Sequence, residues 1–272
     1  MKFYLAMTTI PSRLNNPDFL RRVLHLKNQT RPFEKLFITI PIRYKRFQDQ
    51  AKDSIIKVLK SIEFVEIISL DVDYGPACKF LGPMIKKRRE IESNILIVMD
   101  DDRFYDPSMI EVYHDFFSDH PIDLVASGNQ ELYFRSIRFA NLKKDDYKIV
   151  VANHRYVSGF MSFALRFKDE LFFDLIDYSV RMIQDVKDVF FHDEGILLNF
   201  LTFNKITVHY INYPFVDVID REMEDALCLL PHINRIEVEN NIRLYTNQIK
   251  YFSEKMPAFS RKTSIMRLKN IL

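Results

Sequence analysis

Ile95-Leu96-Ile97-Val98-Met99 runs without a polar interruption into Asp100-Asp101-Asp102. Five consecutive apolar residues are the pattern of a strand buried on both faces at the centre of a parallel sheet; a half-exposed strand would alternate. Three adjacent carboxylates repel one another, and the strand delivers them at its carboxyl end, where open α/β sheets bind ligands. Extended geometry sends Asp100 and Asp102 to one side and Asp101 to the other. Two convergent carboxylates suit a hard divalent cation that keeps some waters and takes its other oxygens from a diphosphate. A solvated acidic turn, with Asp106 as a helix cap, is the plain alternative.

Working outward, Phe3–Thr9, Leu36–Ile42 and Val65–Leu70 read as earlier strands separated by helical patterns. Asn16-Pro17-Asp18 offers an N-cap with proline at the first helical position, and Phe19, Leu20, Val23 and Leu24 form the apolar stripe. Phe47, Ala51, Ile55, Val58, Leu59 and Ile62 repeat at helical spacing, and Ala77–Glu90 reads as one amphipathic helix. Asp106-Pro107 opens a further helix through Phe117. These βα units predict a doubly wound, mostly parallel sheet. Beyond residue 120 the pattern becomes mixed: Ile122–Ser127, Leu132–Ala140, Lys148–Ala152 and Ile206–Ile211 are strand-like, with helices at Asp169–Ile183, Glu194–Phe203 and Arg235–Phe252. Nothing linker-like or repeated divides the chain. One compact α/β domain over residues 1–233 is expected, followed by a helical extension over 234–272.

The 272 residues include only five glycines, so no segment can build a G-x-G-x-x-G or G-x-x-x-x-G-K-[ST] phosphate loop. A content of 47% hydrophobic and 28% charged residues excludes disordered and collagen-like classes. Cys78 and Cys228 make neither a disulfide framework nor a zinc knuckle, and a reducing compartment is expected. The apolar run Met1–Met7 is too short for a signal peptide, and no stretch approaches the ~18 apolar residues of a membrane helix. A soluble, cytoplasmic protein is expected. The net charge of +2 conceals an asymmetry: residues 240–272 hold seven Lys or Arg against Glu254 alone, which leaves the body at −4. Ser260–Leu272 intersperses Arg261, Lys262, Arg267 and Lys269 with Ile265, Met266, Leu268 and Ile271. Such a tail suits peripheral membrane contact, a partner helix or a plain terminal helix equally well. The acidic body argues against nucleic-acid binding.

A strand ending in D-x-D near residue 100 after three βα units resembles the GT-A class of nucleotide-sugar-dependent glycosyltransferases, family 2-like. Further segments are similar in order. Thr8-Thr9-Ile10-Pro11-Ser12-Arg13 resembles the loop that holds the nucleotide base and ribose. Asp73-Tyr74-Gly75-Pro76-Ala77-Cys78-Lys79 resembles a D-x-G-P-x-x-K segment, and Val157-Ser158-Gly159-Phe160 a loop beneath the donor sugar. His192-Asp193-Glu194 before an apolar helix resembles the paired-acid motif of inverting members. The resemblance covers roughly residues 3–215. It implies a GT-A fold with a nucleotide-sugar half (1–120) and an acceptor half (121–233), a UDP- or GDP-sugar donor, Mn2+ or Mg2+, and a glycan, lipid-linked or protein acceptor. Thr8, Thr9, Pro11, Arg13, Asp73, Lys79, Asp101 and Gly159 would then contact the donor. The class more often shows E-D or D-D at the paired acids, so the base stays open between Asp193 and Glu194.

The chemistry fits those residue types. The leaving diphosphate gathers negative charge, which a cation on Asp100 and Asp102 would meet, with Lys79 or Arg13 adding charge at the phosphates. The acceptor hydroxyl must lose a proton to a carboxylate within hydrogen-bond reach. Against this, Asp193 and Glu194 open a helix, where the dipole and capping favour acids for structural reasons alone. His232 and His209 are candidates for a further metal ligand, and His209 in an alternating strand is equally a sheet residue. Residues 217–241 are a candidate lid. Three of the five glycines, Gly75, Gly159 and Gly195, fall in these segments, suggesting close backbone approach to a ligand. A sugar-nucleotidyltransferase and a non-catalytic carbohydrate-binding protein on the same fold are the alternatives; the first expects a glycine-rich loop after the first strand, which is lacking here.

Overall fold

The computed structural model describes residues 1–48, 51–122, 124–128, 149–150, 157, 159, 161–166, 169–186, 189–213, 215–216, 237–238 and 240–247. Among them, eight strands form one sheet: β1 (Phe3–Thr8), β2 (Lys35–Pro41), β3 (Val65–Leu70), β4 (Ile95–Val98), β5 (Val125–Gly128), β6 (Ile149–Val150), β7 (Phe163–Leu165) and β8 (Val208–Ile211). Their order is β3-β2-β1-β4-β7-β5-β8-β6. β1 lies parallel between β2 and β4, with Phe3 beside Ile95 and Leu5 beside Ile97, and β3 extends the parallel half. β7 is antiparallel to both β4 and β5, and β8 is parallel to β5. The α/β, mostly parallel, Rossmann-like architecture expected from the sequence is the one observed.

Both faces of β4 are covered, which accounts for its unbroken apolar sequence. Ile95, Ile97 and Met99 pack with Phe3, Leu5, Phe19, Ile110 and Phe116 on one face. Leu96 and Val98 pack with Tyr4, Phe37, Phe80, Leu175 and Leu197 on the other. The helices that supply these layers are α1 (Pro11–Leu14), α2 (Pro17–His25), α3 (Asp53–Lys60), α4 (Cys78–Lys86), α5 (Arg88–Ile91), α6 (Met109–Asp119), α7 (Asp169–Asp185) and α8 (Asp193–Phe203). Burying each such aliphatic side chain contributes roughly 1.5–3 kcal/mol, so β4 is firmly anchored and the turn after it is held from one side.

Local chemistry explains most boundaries. The Asn16 side chain accepts a hydrogen bond from the Asp18 N–H and Pro17 occupies the first position of α2, as expected. Asp106 Oδ1 accepts from Ser108 N at 2.8 Å or less, ahead of α6, and also from the Tyr213 hydroxyl. The single helix expected over Ala77–Glu90 is instead two, broken at Lys87. Pro83 lies inside α4 and removes one backbone donor, and the helix ends three residues later. The long pattern from Phe47 yields only Asp53–Lys60 as helix; Phe47 packs edge-on against Tyr44. β7 was not visible in the sequence pattern, because three residues carry no periodicity. Among the described residues no helix is long and apolar enough to cross a membrane. The strand expected at Leu132–Ala140, most of the 217–241 segment and the basic residues from Lys250 onward lie outside the described residues.

Candidate active site

Four elements converge at the carboxyl end of β4. The first turn of α4 supplies Lys79, the chain leaving β4 supplies Asp100, the approach to β7 supplies Gly159, and the first turn of α8 supplies Asp193 and Glu194. Lys79 Nζ lies 2.8 Å from Asp100 Oδ1 and 2.7 Å from Asp193 Oδ2. Glu194 Oε1 accepts a hydrogen bond from the Gly159 N–H. Gly159 sits so close that an added Cβ would lie 2.5 Å from Lys79 Nζ, 2.9 Å from Asp100 Oδ1 and 3.1 Å from Glu194 Oε1. Any side chain at this position would have to push those three side-chain ends aside.

The two acids at the start of α8 do not cap their own helix. His192 is the N-cap and its side chain makes no capping bond; the carboxylates reach instead to Lys79 and to Gly159. Their placement at a helix N-terminus is electrostatically favourable, but their partners lie on other elements. Burial, followed by the charge of Asp193, pushes the Glu194 carboxyl up to about 7 against the opposing pull of Lys79. A carboxyl near neutrality is matched to proton transfer at neutral pH. Burial by itself would lower the Lys79 pKa, yet Asp100, Asp193 and Glu194 together raise it, so the ammonium stays charged.

The other two aspartates form a second group. Arg13 Nη1 lies 2.6 Å from Asp101 Oδ1 and 3.4 Å from Asp102 Oδ2, and Arg103 Nε lies 3.6 Å from Asp102 Oδ1. Asp101 and Asp102 thus share Arg13 while Asp100 turns to Lys79, and the charge of Asp100 still acts on Asp102 ahead of that of Asp101. The reason is local. The strand ends at Val98 and Asp101-Asp102 lie in a turn, where two-residue alternation no longer applies. Burial, then the charges of Asp100 and Asp101, push the Asp102 carboxyl up to about 6. Tyr105, which no sequence pattern singles out, links Asp100 to Gly159. Its hydroxyl accepts from Asp100 N at 2.8 Å and faces the Gly159 carbonyl at 3.5 Å.

With all five carboxylates ionised, Asp100, Asp101, Asp102, Asp193 and Glu194 face three cations, Lys79, Arg13 and Arg103, a formal excess of two negative charges. Asp101 Oδ2 and Asp102 Oδ1 are buried and accept no hydrogen bond. Unsatisfied carboxylate oxygens in a negatively charged recess fit a hard divalent cation. Among the described residues no group of three or more His, Cys, Asp or Glu side chains is placed to hold a metal ion; Mg2+ ordinarily uses one or two carboxylates and completes its shell with water and phosphate. The residues present would fit such an ion. His209 does not stand with them: its ring packs against Phe116 and His120, at centroid distances of 5.3 and 5.9 Å. His232 lies outside the described residues.

The remaining candidates mostly shape loops. Thr8 Oγ1 donates to the Thr39 carbonyl, and the Thr9 carbonyl accepts from the Tyr44 hydroxyl. Thr9 Oγ1 is buried with no hydrogen-bond partner, and Pro11 opens α1. Asp73 accepts from the backbone N–H of Lys45 and of Gly75, both at 2.8 Å, and so organises its own turn. Cys78 is buried, and desolvation with the neighbouring Asp73 pushes its thiol well up, away from nucleophilic chemistry. The glycine expectation also narrows. Gly75 has φ +62 and abuts the Phe190 carbonyl, and Gly195 abuts the His192 ring, so both serve packing. Gly159 alone of those three borders the acidic group.

No family model matches the chain. No curated protein matches it either. Among solved structures it is similar to a mannosyltransferase from Pyrobaculum calidifontis in complex with GDP-Man and Mn2+, at 10% identity and a TM-score of 0.48. That likeness covers 78% of this chain and 56% of the other, so the chain spans little over half the length of that protein.

Proposed function

We propose that the chain is a metal-dependent glycosyltransferase of the GT-A type, moving a sugar from a nucleoside-diphosphate sugar to a glycan, lipid-linked or protein hydroxyl with inversion. One observation carries the reading: Lys79, Asp100, Gly159, Asp193 and Glu194, distant in sequence, meet at the end of the buried strand. A Mn2+ or Mg2+ ion on Asp100 and Asp102 would supply Lewis-acid stabilisation of the departing diphosphate. The chain's own residues account for the rest. Glu194, with its carboxyl near 7 and its Oε1 fixed by the Gly159 N–H, is the acid suited to take the proton of the acceptor hydroxyl. Asp193, paired with Lys79, is held as a charged neighbour that keeps the Glu194 carboxyl basic. Arg13 holds Asp101 and Asp102 in the turn.

The test is incubation with UDP- and GDP-sugars and Mn2+, following released nucleoside diphosphate and the anomeric configuration of the product by NMR. Release of nucleoside diphosphate with inverted product is expected. Pyrophosphate formed from a nucleoside triphosphate and a sugar phosphate would identify a nucleotidyltransferase instead, and a retained configuration would remove the base role from Glu194.

A further inference from the structure

A lysine beside a diphosphate site ordinarily meets phosphate, but the surroundings of Lys79 oppose that role. Its side chain is 5% exposed. The Lys79 ammonium donates a hydrogen bond to Asp100 Oδ1 at 2.8 Å and forms an ion pair with Asp193 Oδ2, 2.7 Å from Nζ, an oxygen that accepts no hydrogen bond. Gly159 covers a third side so closely that a methyl group there would come within 2.5 Å of Nζ. A phosphate oxygen would have to displace one of these carboxylates, the buried Asp193 or the more open Asp100, to reach this charge. The two carboxylates that Lys79 joins belong to different parts of the site: Asp100 stands in the acidic turn after β4, and Asp193 begins α8 beside Glu194.

We propose that Lys79 is a positioning residue that clamps Asp100 to Asp193, holding the metal-side carboxylate and the acid pair at one fixed separation. The inference rests on the glycosyltransferase reading of the site. Without the ammonium, Asp100, Asp193 and Glu194 repel one another in a poorly solvated recess, and the Gly159 segment packed on them loses its support. The loop after β1 would remain in place, whereas the reacting groups would shift. A displacement of ~1 Å at reacting groups is enough for a rate loss of about 100-fold.

Two measurements test the clamp. In metal-free buffer, melting temperatures of wild type, Lys79→Met, Asp193→Asn and the double variant form a mutant cycle. Lys79→Met is expected to melt well below wild type, and adding Asp193→Asn is expected to restore part of the loss, because removing both partners leaves no unpaired charge. Additive losses would overturn the clamp. In steady-state assays with GDP-mannose or UDP-glucose and Mn2+, Lys79→Met is expected to lose about 100-fold in kcat, with the donor KM nearly unchanged. A raised donor KM at near-normal kcat would make Lys79 a phosphate contact and also overturn it. If Lys79→Met does not fold, Lys79→Arg keeps the charge but not the geometry; reduced kcat supports the clamp and wild-type kcat refutes it. If wild type turns over neither donor, the glycosyltransferase reading fails, and the melting cycle still decides whether the clamp exists.

Discussion

Asp193 and Glu194 are adjacent in the chain and differ in what they touch, and on the proposed reading that difference separates their roles. Asp193 is neutralised by a buried ammonium, while Glu194 receives only a backbone N–H as its hydrogen bond among the contacts described here and sits near neutrality. Glu194→Gln is therefore expected to lower kcat by roughly 10²–10⁴, the range for a lost general base, with donor affinity by calorimetry unchanged. A loss of donor binding of similar size would point to a structural role. The same carboxyl sets a pH dependence of stability. Its pKa is about 7 in the folded chain against an ordinary 4.5, so the folded state binds the proton more tightly than the unfolded state. Its contribution is complete below about 4.5 and disappears as pH rises through about 7. Chemical denaturation in metal-free buffer should show wild type losing on the order of 2 kcal/mol relative to Glu194→Gln between pH 5 and 8. A pH-independent difference between the two proteins would show that Glu194 is not held neutral by its surroundings.

Strands and helices carry these residues to the site, and they differ in how openly the sequence announces them. β4 is legible because both of its faces are buried and its apolar run is unbroken, and α2 because Asn16 and Pro17 mark its start. β7, which pairs with both β4 and β5, is three residues long and leaves no period to detect. The break at Lys87 follows from Pro83, a signal present in the sequence but overridden there by the longer amphipathic pattern. The same distinction runs through the site. Asp100, Gly159, Asp193 and Glu194 were nameable from their order along the chain, whereas the pairing of Asp101 with Arg13 and the part played by Tyr105 depend on a turn whose path no periodicity encodes. The central role of β4 has its own test. Ile97 is fully buried between β1 and β7, and Ile97→Ala is expected to cost 2–5 kcal/mol, roughly the range for a large-to-small change in a rigid core. A loss below about 1 kcal/mol in urea unfolding would mean that the strand can collapse around the gap, as well-accommodated sites do.

Across the whole molecule, a mildly acidic body concentrates uncompensated charge at one end of its sheet. Two apolar layers close both faces of the parallel half, and the polar groups they exclude gather where the strands end. On the proposed reading, stability given up there, through buried carboxylate oxygens without donors and carboxyls raised toward neutrality, would be recovered when a cation binds. The folded protein should therefore gain stability from Mn2+ in proportion to the logarithm of its concentration, since an ion that binds only the native state raises the melting temperature by mass action. At a free concentration ~100 times its Kd the gain is about 2.7 kcal/mol, enough for a shift of several degrees in a chain of this length. Asp102→Asn removes one of the two carboxylates that would hold the ion and also relieves repulsion from Asp100 and Asp101, the forces that raise its own pKa alongside burial. Two opposite effects are thus expected from one substitution: a metal-free melting temperature at or above that of wild type, and a Mn2+-dependent shift that is largely lost. If Asp102→Asn kept the full Mn2+ shift, the cation would be held elsewhere. A lower metal-free melting temperature would show that the Arg13 and Arg103 contacts of Asp102 outweigh the repulsion within the aspartate cluster.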